Sequence, residues 1–324
     1  MSARLWEGLA EVLGRGNASE HRDRGFILIV VISALGLLAL VAANFANVSR
    51  SHVRAASAAV GSAIAEQLAD AGIQLAVLDL VAATHDRGHR WRFAVDGSAI
   101  ECDAGDGNRL RISVQDEAGK VDLNAADEPL LRALLLGLGI DGPSGSTADR
   151  IIDFRDTDSI RRPQGAELPE YLAASRQQGP KNAPFAVVDE VQQVLGFSAA
   201  DAARLRPHIT VYSGQSSIAP TAASAELIAI LSRGHWQLAP APADAAATEP
   251  LLDLPSRLPA SFVGASGGRF FAVRSQAHTG GAIFVREAVV EVGRSRIRPF
   301  TFLRWYRGAA VRQEPELGLL SCWR

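Results

Sequence analysis

The stretch Arg24-Gly25-Phe26-Ile27-Leu28-Ile29-Val30-Val31-Ile32-Ser33-Ala34-Leu35-Gly36-Leu37-Leu38-Ala39-Leu40-Val41-Ala42-Ala43 decides how the rest of the chain is read. No charged residue stands between Gly25 and Ser49, and about 20 apolar residues at ~1.5 Å of helical rise each suffice to cross a bilayer core. The apolar run does not close as a secretory signal would. The first proline is Pro129, and Val53, Ala56, Val60, Ile64, Leu68, Ala71, Leu75 and Leu78 recur at spacings of three and four. That is the stripe of an amphipathic helix. One unbroken helix of roughly 55 residues and ~80 Å is therefore expected, half in lipid and half packed on a soluble domain.

Gly25 and Phe26 close a leader that contributes Arg22 and Arg24. This arrangement resembles the precursors of type IV pilin-like proteins, which carry a short leader ending in Gly and are cut before Phe or Met by a prepilin peptidase. The resemblance implies Gly25 and Phe26 as processing residues and the peptidase as a partner. It also implies a single-pass protein of the bacterial inner membrane, with residues 1–25 as leader, 26–46 as the transmembrane part and the bulk of the chain in the periplasm. Residues 1–25 hold four Arg and four acidic residues, so charge asymmetry gives little help with orientation. The family's usual Glu at the fifth mature position is Val30 here, which the resemblance ties to a special place in a filament. A rival reading takes Val41-Ala42-Ala43 as a general signal peptidase site. The helical stripe running straight through it argues against that.

After Ala83 the period breaks. Trp91–Val95 and Leu110–Val114 alternate as strands around the turn-rich Asp103–Asn108. His85 and His89 stand four apart but read as a polar loop, since Gly88 argues against a helix there. From Gln115 to about Pro207 the period is helical, opening on Asp116-Glu117-Ala118-Gly119-Lys120-Val121-Asp122-Leu123-Asn124-Ala125-Ala126. Asn124 or Asp127 can cap the next helix, with Pro129 in its first turn. Then come Asp153–Asp158, Gly165-Ala166-Glu167 with Tyr171, Asn182-Ala183-Pro184-Phe185, Leu195-Gly196-Phe197 and Ile209-Thr210-Val211-Tyr212. This ordered succession resembles the helical insert of the large minor pseudopilins of type II secretion, the general secretion pathway K family, in which the fifth-position Glu is also missing. A second resemblance covers the same residues. Asp122–Ala126, Gly137-Leu138-Gly139-Ile140 and Arg150-Ile151-Ile152 are similar to a helix-hairpin-helix unit of membrane-anchored DNA-uptake proteins, whose Gly hairpin offers N–H groups to phosphate. Asp141, Asp149, Asp153, Asp156 and Asp158 crowd this hairpin with negative charge, so nucleic acid is not expected as a partner.

The acidic cluster is the one site with chemistry of its own. Asp156 and Asp158, with Asp153 one turn before and Glu167 after a polar loop, supply hard oxygens at short spacing, as calcium requires. The pseudopilin resemblance implies a structural calcium here, held by Asp156, Asp158 and Glu167 with Asp153. The acid that often succeeds Glu167 in that family is Leu168, and Arg155, Arg161 and Arg162 offer an alternative in which the cluster is a salt-bridged, solvated loop.

Beyond Thr210 a helix is expected from Ile218–Ser224 to Leu231, then an Ala- and Pro-rich loop over Pro240–Pro250. A three-stranded antiparallel meander comes next, over 270–274, 282–292 and 300–306. The fold class is α+β: a type IV pilin-like helix on an antiparallel sheet with a large all-α insert. Residues 47–115 hold helix and first strands, 116–207 the insert, and 208–324 a helix and the strands that complete the pilin-like domain. Net charge of -2 over 324 residues gives no general pull toward polyanions. Cys102 and Cys322 bridge the ends of the sheet in an oxidising compartment or, as the preferred reading, remain two buried thiols. No nucleophile motif, phosphate loop or reactive-cysteine context marks an enzyme. The resemblance implies a place at the tip of a secretion filament, with other minor pseudopilins, the I and J proteins, as partners.

Overall fold

The computed structural model describes residues 20–86, 89, 92–140, 146–238, 258–293, 295, 297–310 and 320–322. The chain divides at Gly61/Ser62 into two units. Helix α1 is assigned over Glu20–His85 without interruption, as the absence of proline allows. In the first unit every described side chain from Leu28 to Val60 is exposed, the apolar ones included. Among the described residues α1 is the one helix long and apolar enough to cross a membrane. The processing pair Gly25 and Phe26 falls within its span, but its side chains lie outside those described.

In the second unit α1 lies on a six-stranded sheet in the order β7-β6-β5-β2-β1-β8. The strands are β1 Asp96–Gly105, β2 Asn108–Asp116, β5 Phe270–Thr279, β6 Ala282–Val292, β7 Phe300–Arg307 and β8 Leu320–Ser321. All pair antiparallel except β8, which runs parallel to β1. The meander β5–β6–β7 is as the alternation predicts.

The buried face of α1 agrees with the expected stripe only in part: Leu68 and Leu75 pack at the edge of the core. Ala65, Ala69, Gly72, Ile73, Ala76, Val77 and Leu80 meet the sheet, while Ile64 and Leu78 are 44% and 65% exposed. The stripe is rotated by about one residue because small side chains let helix and sheet backbones come close. A Cβ at Gly72 would collide with Ser275 Oγ on β5. Arg286 on β6 then ties the layers: its guanidinium pairs with Asp70 (2.5 Å) and Glu66 (2.7 Å) of α1 and lies over the rings of Phe284 and Trp305.

The first strand also differs from expectation. Residues 92–95 are not extended ladder, and β1 begins at Asp96. The Asp79 carboxylate of α1 accepts the backbone N–H groups of Arg92 (3.0 Å) and Phe93 (3.4 Å), and Phe93 is drawn into the core. His89 Nε2 bonds the same carboxylate at 2.7 Å, so it completes a helix-end anchor and forms no pair with His85.

Cys102 and Cys322 form a disulfide, Cα–Cα 5.0 Å, across 220 residues of sequence. This corrects the preferred reading of two thiols. Strand β8 returns beside β1 in register Cys102↔Leu320 and so brings Cys322 to its partner at the sheet edge.

The insert enters after β2 and leaves before β5, two strands that are neighbours in the sheet. Its helices are α2 Glu128–Gly137, α3 Ser146–Arg155, α4 Leu168–Ala173, α5 Ala199–Leu205 and α6 Ala225–Leu238, with a two-residue parallel pair of β3 Val121–Asp122 and β4 Ile209–Thr210. Asp127 caps α2 through its bond from Leu130 N–H (3.1 Å), with Pro129 in the first turn. Leu130, Leu131, Leu134 and Leu135 of α2 pack with Ile151, Phe154, Tyr171, Val194 and Leu205, each large side chain adding about 1.5–3 kcal/mol of burial. Leu227, Ile228, Ile230 and Leu231 of α6 and Leu258 and Phe262 beyond it join the same core. The insert therefore runs past residue 207, and α6 serves it rather than the pilin-like sheet.

Candidate metal centre in the helical insert

Helix α3 ends at Arg155, which places Asp153 in its last turn and Asp156 just beyond. Asp153 is fully buried and both its carboxylate oxygens accept the Arg162 backbone N–H, at 3.3 and 3.2 Å. Gly165 backs directly onto that carboxylate, so closely that a Cβ there would overlap Asp153 Oδ2. Two residues on, Glu167 is the N-cap of α4 and is buried, its backbone N–H bonded to Glu170 Oε2 at 2.9 Å.

Three oxygens in this neighbourhood are buried without a hydrogen-bond partner: Asp156 Oδ1, Glu167 Oε1 and Asn182 Oδ1. Asn182 sits at φ 48°, and its Nδ2 donates to the Asp158 carbonyl (2.7 Å) and to Ser159 Oγ (3.3 Å). Burial first, then repulsion among the acids, raises the carboxyls of Asp153, Asp156 and Glu167 above their ordinary range. An unpaired buried acceptor costs about 1–3 kcal/mol, so three of them beside clustered carboxylates describe a place that a hard cation would complete.

The arginines do not fill that role. Arg155 turns to the carbonyls of Leu123 and Ala126 (2.6 Å to the latter), Arg161 to Glu170 (3.3 Å), and Arg162 to Asp149 (2.9 Å) and Glu128. The salt-bridged alternative thus neutralises other acids. Asp158 is exposed, and its Oδ1 accepts Ile160 N–H at 2.7 Å, so its side chain is less available than its spacing suggests. Among the described residues no three His, Cys, Asp or Glu side chains form a ready metal-binding group. The unpartnered oxygens of this neighbourhood belong to two carboxylates and an amide. Asn182 was missed as a donor because it comes from a separate loop; its one local signal is a place beside Pro184 and Phe185, where Asn124 exchanges two hydrogen bonds with Phe185 (2.7 and 2.9 Å) and Phe185 stacks on Phe154.

The Gly hairpin after α2 is spent on its own helix. Gly139 and Ile140 N–H donate to the carbonyls of Leu136 and Leu135, both at 2.9 Å, and Gly137 is buried against the Ile230 carbonyl of α6. These N–H groups are not presented to phosphate.

A long amino-terminal helix laid by its small-residue face on an antiparallel sheet, with a helical insert between two neighbouring strands, defines an α+β protein of pilin-like fold. Residues 108–214 match the family model described as type II secretion system (T2SS), protein K. None of the curated proteins matches the chain. Among solved structures it is similar to a chain of the crystal structure of the GspK-GspI-GspJ complex from the enterotoxigenic Escherichia coli type 2 secretion system, with 20% identity, a TM-score of 0.52, and coverage of 81% of this chain and 99% of that one. The matched segment, about a third of the chain, is thus similar to the type II secretion protein K family, and the structural likeness shows the fold.

Proposed function

We propose that this chain is a minor pseudopilin that stands at the tip of the type II secretion pseudopilus and takes part in pseudopilus assembly and in protein export across the outer membrane. The insert carries this reading: it hangs between β2 and β5 of the sheet, and such bulk hinders the addition of another subunit beyond it. Val30, in place of the Glu that would neutralise a neighbour's terminal amine, supports the same position. Prepilin peptidase cuts between Gly25 and Phe26, α1 anchors the chain in the inner membrane by its apolar half, and the remainder faces the periplasm. The protein of similar structure was solved with its I and J partners, and their counterparts are this chain's partners.

A structural calcium belongs to the proposal. Asp156 and Glu167 supply carboxylate oxygens and Asn182 its amide oxygen, with Asp153 and Asp158 adding negative charge around them. Bound calcium would supply the positive charge that the three unpartnered oxygens lack.

The test is the intact mass and N-terminal sequence of membrane-extracted protein from cells with and without prepilin peptidase. A start at Phe26 that depends on the peptidase is expected; a start at Asn44, or no cleavage, overturns the filament reading. Co-purification with the I and J proteins at micromolar concentration checks the partners.

A further inference from the structure

Strand β7 is one edge of the sheet, and among the described residues no strand lies beyond it. An edge presents unpaired N–H and C=O groups, and proteins usually blunt such strands with short length, polar side chains or bulges. This one runs eight residues, Phe300–Arg307, with a bulge at Leu303, and along it Leu303, Trp305 and Tyr306 are 38%, 38% and 42% exposed. The bulge interrupts the pairing at one position, yet the aromatic side chains beyond it stay exposed.

The charge beside the edge is one-sided. No Asp or Glu occurs between Glu291 and Glu314. The nearby acids are already paired: Glu291 with Arg269 (2.5 Å), Asp189 with Arg206 (2.5 Å), and Glu287 with Arg274. Arg304 lies over the Tyr306 ring and Arg307 over the Phe284 ring, and neither forms an ion pair among the described residues. A groove of about 570 Å³ opens here, between Arg304, Tyr306 and Arg307 of the sheet and Lys120, Asp189 and Arg206 of the insert.

We propose that β7 accepts an extended acidic segment of a partner protein by strand addition. The added strand pairs its backbone with the edge beyond the bulge, lays apolar side chains on the face of Trp305, and on the opposite face presents carboxylates to Arg304 at the mouth of the groove. The docking surface is built from the sheet and insert alone, so it is independent of the chain's place in a filament.

The probe is a fluorescein-labelled peptide of about ten residues alternating Glu and Val, titrated by anisotropy into the detergent-solubilised full chain. Saturable binding that weakens with salt is expected. So is a loss of about tenfold or more in affinity both for the same peptide with alternate amides N-methylated and for Arg304→Glu protein of unchanged melting temperature. Absence of saturable binding overturns the proposal. Equal binding of the methylated peptide overturns it too, because charge alone would then suffice, and that comparison needs no variant to fold. Charge-reversal-sensitive binding to anionic lipid vesicles but not to the peptide would also overturn it, assigning the arginines to a membrane surface.

Discussion

The sheet layer and the helical insert are held together in opposite ways. The sheet layer closes on itself: α1 approaches through Ala65, Ala69, Gly72 and Ala76, Arg286 pairs across the layers, and Cys102–Cys322 binds the last strand to the first. The insert has the larger apolar side chains in its core, yet leaves Asp156, Glu167 and Asn182 with buried oxygens unpartnered. The sheet layer leaves one buried hydroxyl, Ser275 Oγ, without a partner, whereas the insert has a cluster of carboxylate and amide oxygens that its own arginines do not meet. Completeness of an apolar core and completeness of its polar groups are separate conditions.

Opening the disulfide tests this contrast most severely. Cys102→Ser with Cys322→Ser frees a loop spanning 220 residues, and the expected loss is about 3–5 kcal/mol. Thermal unfolding should fall by many degrees, and hydrogen exchange should rise first in β1 and β8. Unchanged melting would mean that the sheet layer does not depend on its covalent tie.

Next comes the insert. Calcium added to chelator-stripped protein should raise its stability by about 3 kcal/mol at a hundredfold excess over Kd, with protection from exchange concentrated in residues 150–185. Glu167→Gln or Asn182→Ala should remove most of that gain. If calcium shifts nothing, the three oxygens are satisfied by water and the contrast loses its chemical half.

Arg286→Ala should cost about 1–3 kcal/mol, between the worth of an exposed pair and a buried one, because Glu66 and Asp70 are partly solvated. Urea unfolding checks it, and the double change with Asp70→Ala should cost less than the sum of the two singles.

The smallest effect is in pH. Asp153, Asp156 and Glu167 have carboxyls raised in the folded state by burial and by one another. Their contribution to the calcium-free protein is present below the ordinary carboxyl range and is lost as pH rises through the raised values. Glu190 and Asp201 in the same insert are lowered and act in reverse. The measurable quantity is therefore the difference between wild type and Glu167→Gln, which should widen as pH rises in chelator. Calcium affinity should fall as pH drops, since its ligands must be deprotonated.

Particular residues show how far the sequence could be read. The unbroken helix, the meander at 270–307 and the acidic loop were legible because each rests on periodicity or composition within one segment. The face of α1 was not: hydrophobicity selected Ile64 and Leu78, whereas packing selected Ala65, Ala69 and Gly72 because the sheet needed room. Strand β1 was hidden because only Cys102 along it is fully buried, which leaves no alternation to detect. At the candidate site Asp153, Asp156 and Glu167 were readable as an acidic run, but Asp158 proved exposed and Asn182 arrived from another loop.

Local spacing and motifs in order were enough for the long apolar helix, the pilin-like succession of helix, strands and insert, and the acidic loop. Which residues meet was settled only in the folded chain. Folding set the small-residue face of α1 against the sheet, assigned α6 to the insert, joined Cys102 to Cys322, and brought Asn182 beside Glu167. Each of these is a contact between distant segments, governed by the space and the unpaired polar atoms that only a folded core creates.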